Sequence, residues 1–204
     1  MKIASMILIV LGYSLINGYG KSGYNLTNRG CLKADVIVLV DISWSVKGYE
    51  DQINRALIGF VDDLDISEDG IHAGIIAFSD NARTLCRLTG NHDEFDDTFK
   101  QVRSDDGSTS MKEGVIAVME EFTKRGRPDA IRVVIVISDG DAQDKEETIP
   151  LIESFSLIQT MVCSVLIKND VSEPEFMRRI GGNCYLETDY RQLYKELERL
   201  DFCL

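Results

Sequence analysis

From residue 34 onward, apolar runs rich in β-branched residues are separated by stretches with helical periodicity, and this alternation is what most constrains the fold. "ADVIVLV", "IHAGIIAF", "IRVVIVIS" and "IQTMVCSVLI" are too short for helices and too continuously apolar for a sheet with one wet face. They read as strands buried on both sides. Between them, "YEDQINRALIGFVDDL" places Ile53, Leu57, Phe60, Val61 and Leu64 on one stripe. A second helix starts at Ser110, with Glu113 spaced as a capping box, and carries Val115, Val118, Met119 and Phe122. Asp144 and Glu147 are placed to cap a third helix, Pro174 opens a fourth, and "YRQLYKELERL" ends the chain as a fifth. "NHDEFDDTFKQV" also has helical spacing, with Asn91 and Glu94 as its capping box. "ARTLCRL" follows the second strand closely enough to be its hairpin partner, and "NCYLE" is a short last strand. The expectation is a doubly wound α/β fold: a mostly parallel six-stranded sheet, one antiparallel edge strand, helices on both faces.

In such folds ligands gather at the carboxyl ends of the strands, near the switch in strand order. Three polar clusters sit there. "VDISWSV" ends the first strand with Asp41, Ser43 and Ser45; Thr109 lies in the loop before a helix; Asp139 follows "VVIVIS" and precedes Gly140. The period of two puts Asp41, Ser43 and Ser45 on one side if the extended conformation persists. Two carboxylates and three hydroxyls form an all-oxygen donor set. Hard oxygen donors select magnesium, calcium or manganese over zinc and copper, and magnesium keeps several waters while using one or two carboxylates. Trp44, the only tryptophan, either packs on the adjacent helix or stands exposed beside the site.

The N-terminus is expected to be processed. Lys2 precedes the apolar run "IASMILIVLGYSLI", and Gly18 and Gly20 have the small-residue spacing of a signal-peptidase site, so residues 1–20 read as a signal peptide. An uncleaved anchor is the alternative. "GYGKSG" matches a dinucleotide-binding fingerprint, but without a strand before it and a helix after it the mechanism is absent. Residues 21–30 are a short polar tail in which Asn25 begins an N-glycosylation sequon. The folded domain occupies residues 31–204.

Secretion gives the five cysteines an oxidising compartment. Cys31 and Cys203 bracket the folded region, so a bridge between them would tie its ends. The odd count leaves one thiol over or paired between chains. The net charge of −12 argues against non-specific binding to nucleic acid or anionic membrane.

The motifs "VDISWS", "GSTSMKEGV" and "VIVISDG", in that order and supported by "IIAFSD" and the final helix, make residues 31 to 203 similar to a von Willebrand factor type A domain. The flavour is closest to the matrilins and fibril-associated collagens. The resemblance implies a metal-ion-dependent adhesion site built from Asp41, Ser43, Ser45, Thr109 and Asp139, holding Mg2+, with Ca2+ or Mn2+ as alternatives. Trp44, Ser108 and Gly140 would form its rim. Ser108 stands where the family often has glycine. The resemblance also makes the strands carrying Cys163 and Cys184 neighbours, so these two either bridge or remain two buried thiols. It places Cys86 on the far edge strand, as the best candidate for the odd thiol and for a disulfide-linked oligomer.

The implied function is that of a secreted extracellular protein. Its partner would be another extracellular protein, collagen or a further matrix or cell-surface component, whose Asp or Glu completes the metal shell. A matrix component that assembles without the metal is the alternative. Neither His72 nor His92 sits in a catalytic motif, and there is no nucleophile elbow or metalloprotease signature, so no enzymatic activity is expected.

Overall fold

The computed structural model describes residues 33–95 and 102–200. The expected signal peptide, the sequon at Asn25 and the Cys31–Cys203 bridge lie outside those residues.

Six strands form one sheet: β1 (Ala34–Asp41), β2 (Ile71–Phe78), β3 (Ala82–Thr89), β4 (Ile131–Ser138), β5 (Thr160–Ile167) and β6 (Tyr185–Thr188). Their spatial order is β3-β2-β1-β4-β5-β6. All neighbours run parallel except β2 and β3, which form the antiparallel hairpin. The helices are α1 (Glu50–Asp63), α2 (Met111–Arg125), α3 (Lys145–Ser154), α4 (Pro174–Gly181) and α5 (Leu193–Leu197). "NHDEFDDTFKQV" begins with a 3-10 turn, His92–Phe95, rather than an α-helix. Asn91 caps it through Oδ1 and the Asp93 N–H, but its own N–H donates to the Thr89 hydroxyl and not to Glu94.

Every residue of β1 is buried, which explains its unbroken apolar run. Alternate residues feed opposite layers. Val36, Val38 and Val40 join Leu57, Phe60 and Val61 of α1 and Leu193 and Leu197 of α5. Ile37 and Leu39 join Met111, Val115 and Val118 of α2 and Met177 of α4. Helix α2 approaches the sheet closely because residue 114 is glycine: a Cβ there would lie 2.8 Å from Leu39 Cδ1. On the hairpin, the register shifts between the Ala73–Thr89 and Ile75–Cys86 pairs. Near this bulge the Leu88 N–H donates to Glu121 of α2 at 2.9 Å, so a buried carboxylate takes up a backbone donor.

One charge lies inside the β1 run. Asp35 is fully buried at the amino end of β1 and pairs with Arg127, whose Nε is 2.7 Å from Asp35 Oδ1 and whose backbone N–H donates to Oδ2. The same guanidinium donates to the carbonyls of Ala34, Gly70 and Glu68. It fastens the loop before β4 to the starts of β1 and β2.

Cys163 of β5 is bonded to Cys184, just before β6, across a separation of 21 residues. The Ser164 N–H donates to the Cys184 carbonyl beside it. A loop of that length is worth about 3 kcal/mol in the chain-entropy treatment. The double variant Cys163→Ala/Cys184→Ser should therefore lose about 3 kcal/mol of unfolding free energy in urea titrations. Cys86 does not suit intermolecular bridging. It is 5% exposed on β3, and its Sγ faces the carbonyls of Arg87 and Glu94. A disulfide to a second chain would require the hairpin to open.

Candidate metal centre

The chain enters the sheet at β1, steps to β2 on one side and later to β4 on the other, so the switch point lies between β1 and β4. Asp41 ends β1, and Asp139 directly follows β4. The two carboxylates thus flank the crevice that the topology creates. Both are buried, at 1% and 0% exposure.

Each carboxylate is held by neutral donors. Asp41 accepts the Ser43 N–H at Oδ1 (2.9 Å) and the Ser138 hydroxyl at Oδ2 (2.6 Å). Ser138 Oγ in turn accepts the Gly140 N–H at 2.9 Å, bridging the ends of β1 and β4. Asp139 accepts the Asp141 N–H at Oδ1 (3.1 Å) and the Asn169 side-chain amide at Oδ2 (2.9 Å). Gly140 makes this turn feasible. Its φ of +81° is unfavourable for other residues, and a Cβ would lie 2.7 Å from Met177 Cγ. Gly140 is therefore buried against α4 and shapes the backbone; it is not an exposed rim residue.

The extended conformation of β1 does not persist to Ser45. Ser43 is still extended, but Trp44–Val46 form a 3-10 turn. This turn still brings the Ser43 and Ser45 hydroxyls to 3.3 Å. It also lifts Trp44 to 66% exposure, which removes the packed alternative for that side chain.

The Thr109 loop is tied to the same edge. The Trp44 N–H donates to the Gly107 carbonyl, Ser110 N–H to Ser79, and Gln143 N–H to Thr109 itself. Ser108 donates to Asp80 through both its N–H and its hydroxyl, and the Ser79 hydroxyl donates to Asp105. Thr109 is 7% exposed. Asp144 has a different role from the one its spacing implies. Its carboxylate makes no cap on α3; it accepts the Met111 and Lys112 N–H groups and the Ser110 hydroxyl, capping α2 from another element. Asp141 is exposed beside it, 3.8 Å from Lys145.

Electrostatics give the crevice its character. Among the described residues no Lys, Arg or His pairs with Asp41 or Asp139. Burial, reinforced by the charge of Asp139, pushes the Asp41 carboxyl up to about 6, although bonds from Ser138 and Ser43 oppose this. The phenol of Tyr190 is also buried at 6% exposure, and among the described residues its hydroxyl has no hydrogen-bond partner. Two buried carboxylates with no ion-pair partner among the described residues thus stand at the strand ends, with the Ser43, Ser45 and Thr109 hydroxyls carried by the turns of the same edge. No three His, Cys, Asp or Glu side chains converge among the described residues, so a zinc site of the His/Cys type is not built here. The donor set fits a hard divalent cation.

Ser138, Asn169 and Tyr190 were not singled out by the sequence. Ser138 had a signal, a hydroxyl ending a buried strand; Asn169 and Tyr190 become relevant only once β5 and α5 are placed.

The von Willebrand factor type A domain model matches residues 35–198. The chain belongs to that family. Sporozoite surface protein 2 of Plasmodium yoelii yoelii is 31% identical over 121 residues, 54% of this chain and 14% of that protein. The mouse collagen alpha-1(XX) chain is 27% identical over 121 residues, 56% of this chain and 9% of its own length. This type A domain thus matches a small part of each relative. Among solved structures, mussel byssus proximal thread matrix protein 1 with a zinc-occupied MIDAS motif has a TM-score of 0.75 at 20% identity, covering 84% of this chain and 48% of that one. Manganese-loaded TRAP protein of Plasmodium vivax has a TM-score of 0.70 at 21% identity, covering 83% and 74%. The collagen relative fits the resemblance seen in the motifs, and metal is carried by domains of this fold. The described helices include none long and apolar enough to cross a membrane.

Proposed function

We propose that this type A domain is an extracellular adhesion module that binds a protein partner through a divalent cation held by Asp41, Ser43, Ser45, Thr109 and Asp139. The observation that carries this reading is the pair of buried carboxylates at the switch point with no cation paired to them among the described residues. Hydroxyl ligands add no charge, and neutral donors already engage both carboxylates. A cation there, Mg2+ in preference and Ca2+ or Mn2+ in its place, would supply an electrophile for an Asp or Glu of the partner. Trp44 and the half-exposed Val171, in the loop that supplies Asn169, offer apolar surface at the same edge. Relatives named as surface and collagen proteins support an extracellular setting, with secretion by way of the N-terminal 20 residues.

The histidines lie apart from this chemistry. His72 pairs in register with Asp35 at the amino ends of the strands, and His92 faces Asp62 at 3.3 Å. No general base is assigned, and binding is the proposed activity.

A pull-down from extracellular matrix extract tests the reading. Recovery of a partner should require Mg2+ and disappear in chelator. Equal recovery with and without metal would instead favour the metal-independent matrix component.

A further inference from the structure

We propose that Tyr190 is a positioning residue of the cation site, its hydroxyl donating to an oxygen of the hydrated cation's shell; this rests on the cation reading above. The side chain is fixed from several directions. Its ring stacks on Tyr49, with centroids 4.1 Å apart and planes inclined by 10°. Tyr49 follows the turn that carries Ser45 and leads into α1. On the other side, Asp189 Oδ1 accepts the N–H groups of Arg191 and Gln192, and Leu193, three positions after Tyr190, is fully buried. Tyr190 is therefore clamped between Tyr49, at the start of α1, and the turn that leads into α5.

Such fixation makes the hydroxyl's surroundings unusual. A buried phenol normally finds a partner, because desolvating it without one is costly. Here the hydroxyl is buried with no partner among the described residues. Tyr190 lines one cavity with Asn169, whose amide donates to Asp139, and burial together with the charges of Asp139 and Asp41 holds the phenol protonated, well above its ordinary range. A protonated phenol can donate, and among the described residues it reaches no acceptor. The acceptor it lacks is what a cation that keeps several waters brings into this crevice. Groups that orient a metal's ligands from outside the shell commonly change affinity 10–100-fold when removed.

Tyr190→Phe removes the hydroxyl and keeps the ring on Tyr49. The two states of the protein should respond in opposite directions. In chelator, the variant should melt no lower than the unsubstituted chain, because an unsatisfied buried polar group has gone. With Mn2+, followed by electron paramagnetic resonance of the free ion, its dissociation constant should rise about 10-fold. Tyr194→Phe is the control. That hydroxyl donates to Asp63 on the surface, and its loss should leave Mn2+ affinity unchanged. Equal affinity in Tyr190→Phe and the unsubstituted chain would overturn this proposal alone. A matching fall in melting temperature in chelator would show a displaced ring and overturn it too. Absence of Mn2+ binding by the unsubstituted chain would overturn both this proposal and the cation reading.

Discussion

Asp41→Asn will weaken Mn2+ binding at least about 100-fold and abolish metal-dependent recovery of a partner, while the protein remains folded. The magnitude follows from the position of the group. Loss of an outer-shell group costs 10–100-fold, and removal of a charged ligand from a dry site should exceed that range. Retention of the fold follows from the hydrogen bonds. The amide oxygen still accepts the Ser43 N–H, and the Ser138 hydroxyl can accept from the amide where it donated to the carboxylate. The substitution also removes a buried negative charge that burial and Asp139 disfavour. The chelated variant should accordingly melt at or above the temperature of the chelated parent. Undiminished Mn2+ affinity in a folded Asp41→Asn protein would remove Asp41 from the ligand set.

Arg127→Ala will cost about 3–5 kcal/mol of stability, the expected effect of removing one partner from a buried ion pair. Asp35 has no access to water, and among the described residues Arg127 is the cation paired with it. Without the guanidinium, the carboxylate keeps the residue-127 backbone N–H but loses its counter-charge, and three carbonyls lose a donor. For a domain with typical stability of about 5–15 kcal/mol this is a large fraction. Arg127→Lys should rescue little, since one ammonium cannot span the carboxylate and the carbonyls that the planar fork reaches together. Urea unfolding reads the effect directly. A loss below about 1 kcal/mol, the range of an exposed pair, would show that water reaches Asp35 when the guanidinium leaves.

These two residues illustrate what could be read before the fold was known. Asp41 was legible because it breaks an apolar run at the edge where α/β folds bind ligands, with Ser43, Ser45, Thr109 and Asp139 in matching places. Asp35 was not. It lies within the run "ADVIVLV", and its partner is 92 residues away in sequence. Asp144 carries a capping signal for its own helix, yet it caps α2, because the loop geometry brings that N-terminus to its carboxylate. The strands and the hairpin were legible because burial on both faces leaves a β-branched signature that needs no partner to interpret. Trp44 could be resolved only by the 3-10 turn that replaces the extended strand. The burial of Cys86 likewise follows from β3 packing, which its edge position in the sheet hides.

The proposed adhesion depends on one hard divalent cation in the crevice between β1 and β4. Calorimetric titration of the metal-stripped protein with Mg2+ tests it most directly, with Asp139→Asn alongside. Saturable binding of one ion per chain, lost in the variant, is the expected result. No saturable binding by the parent, or the same binding in both proteins, would contradict it.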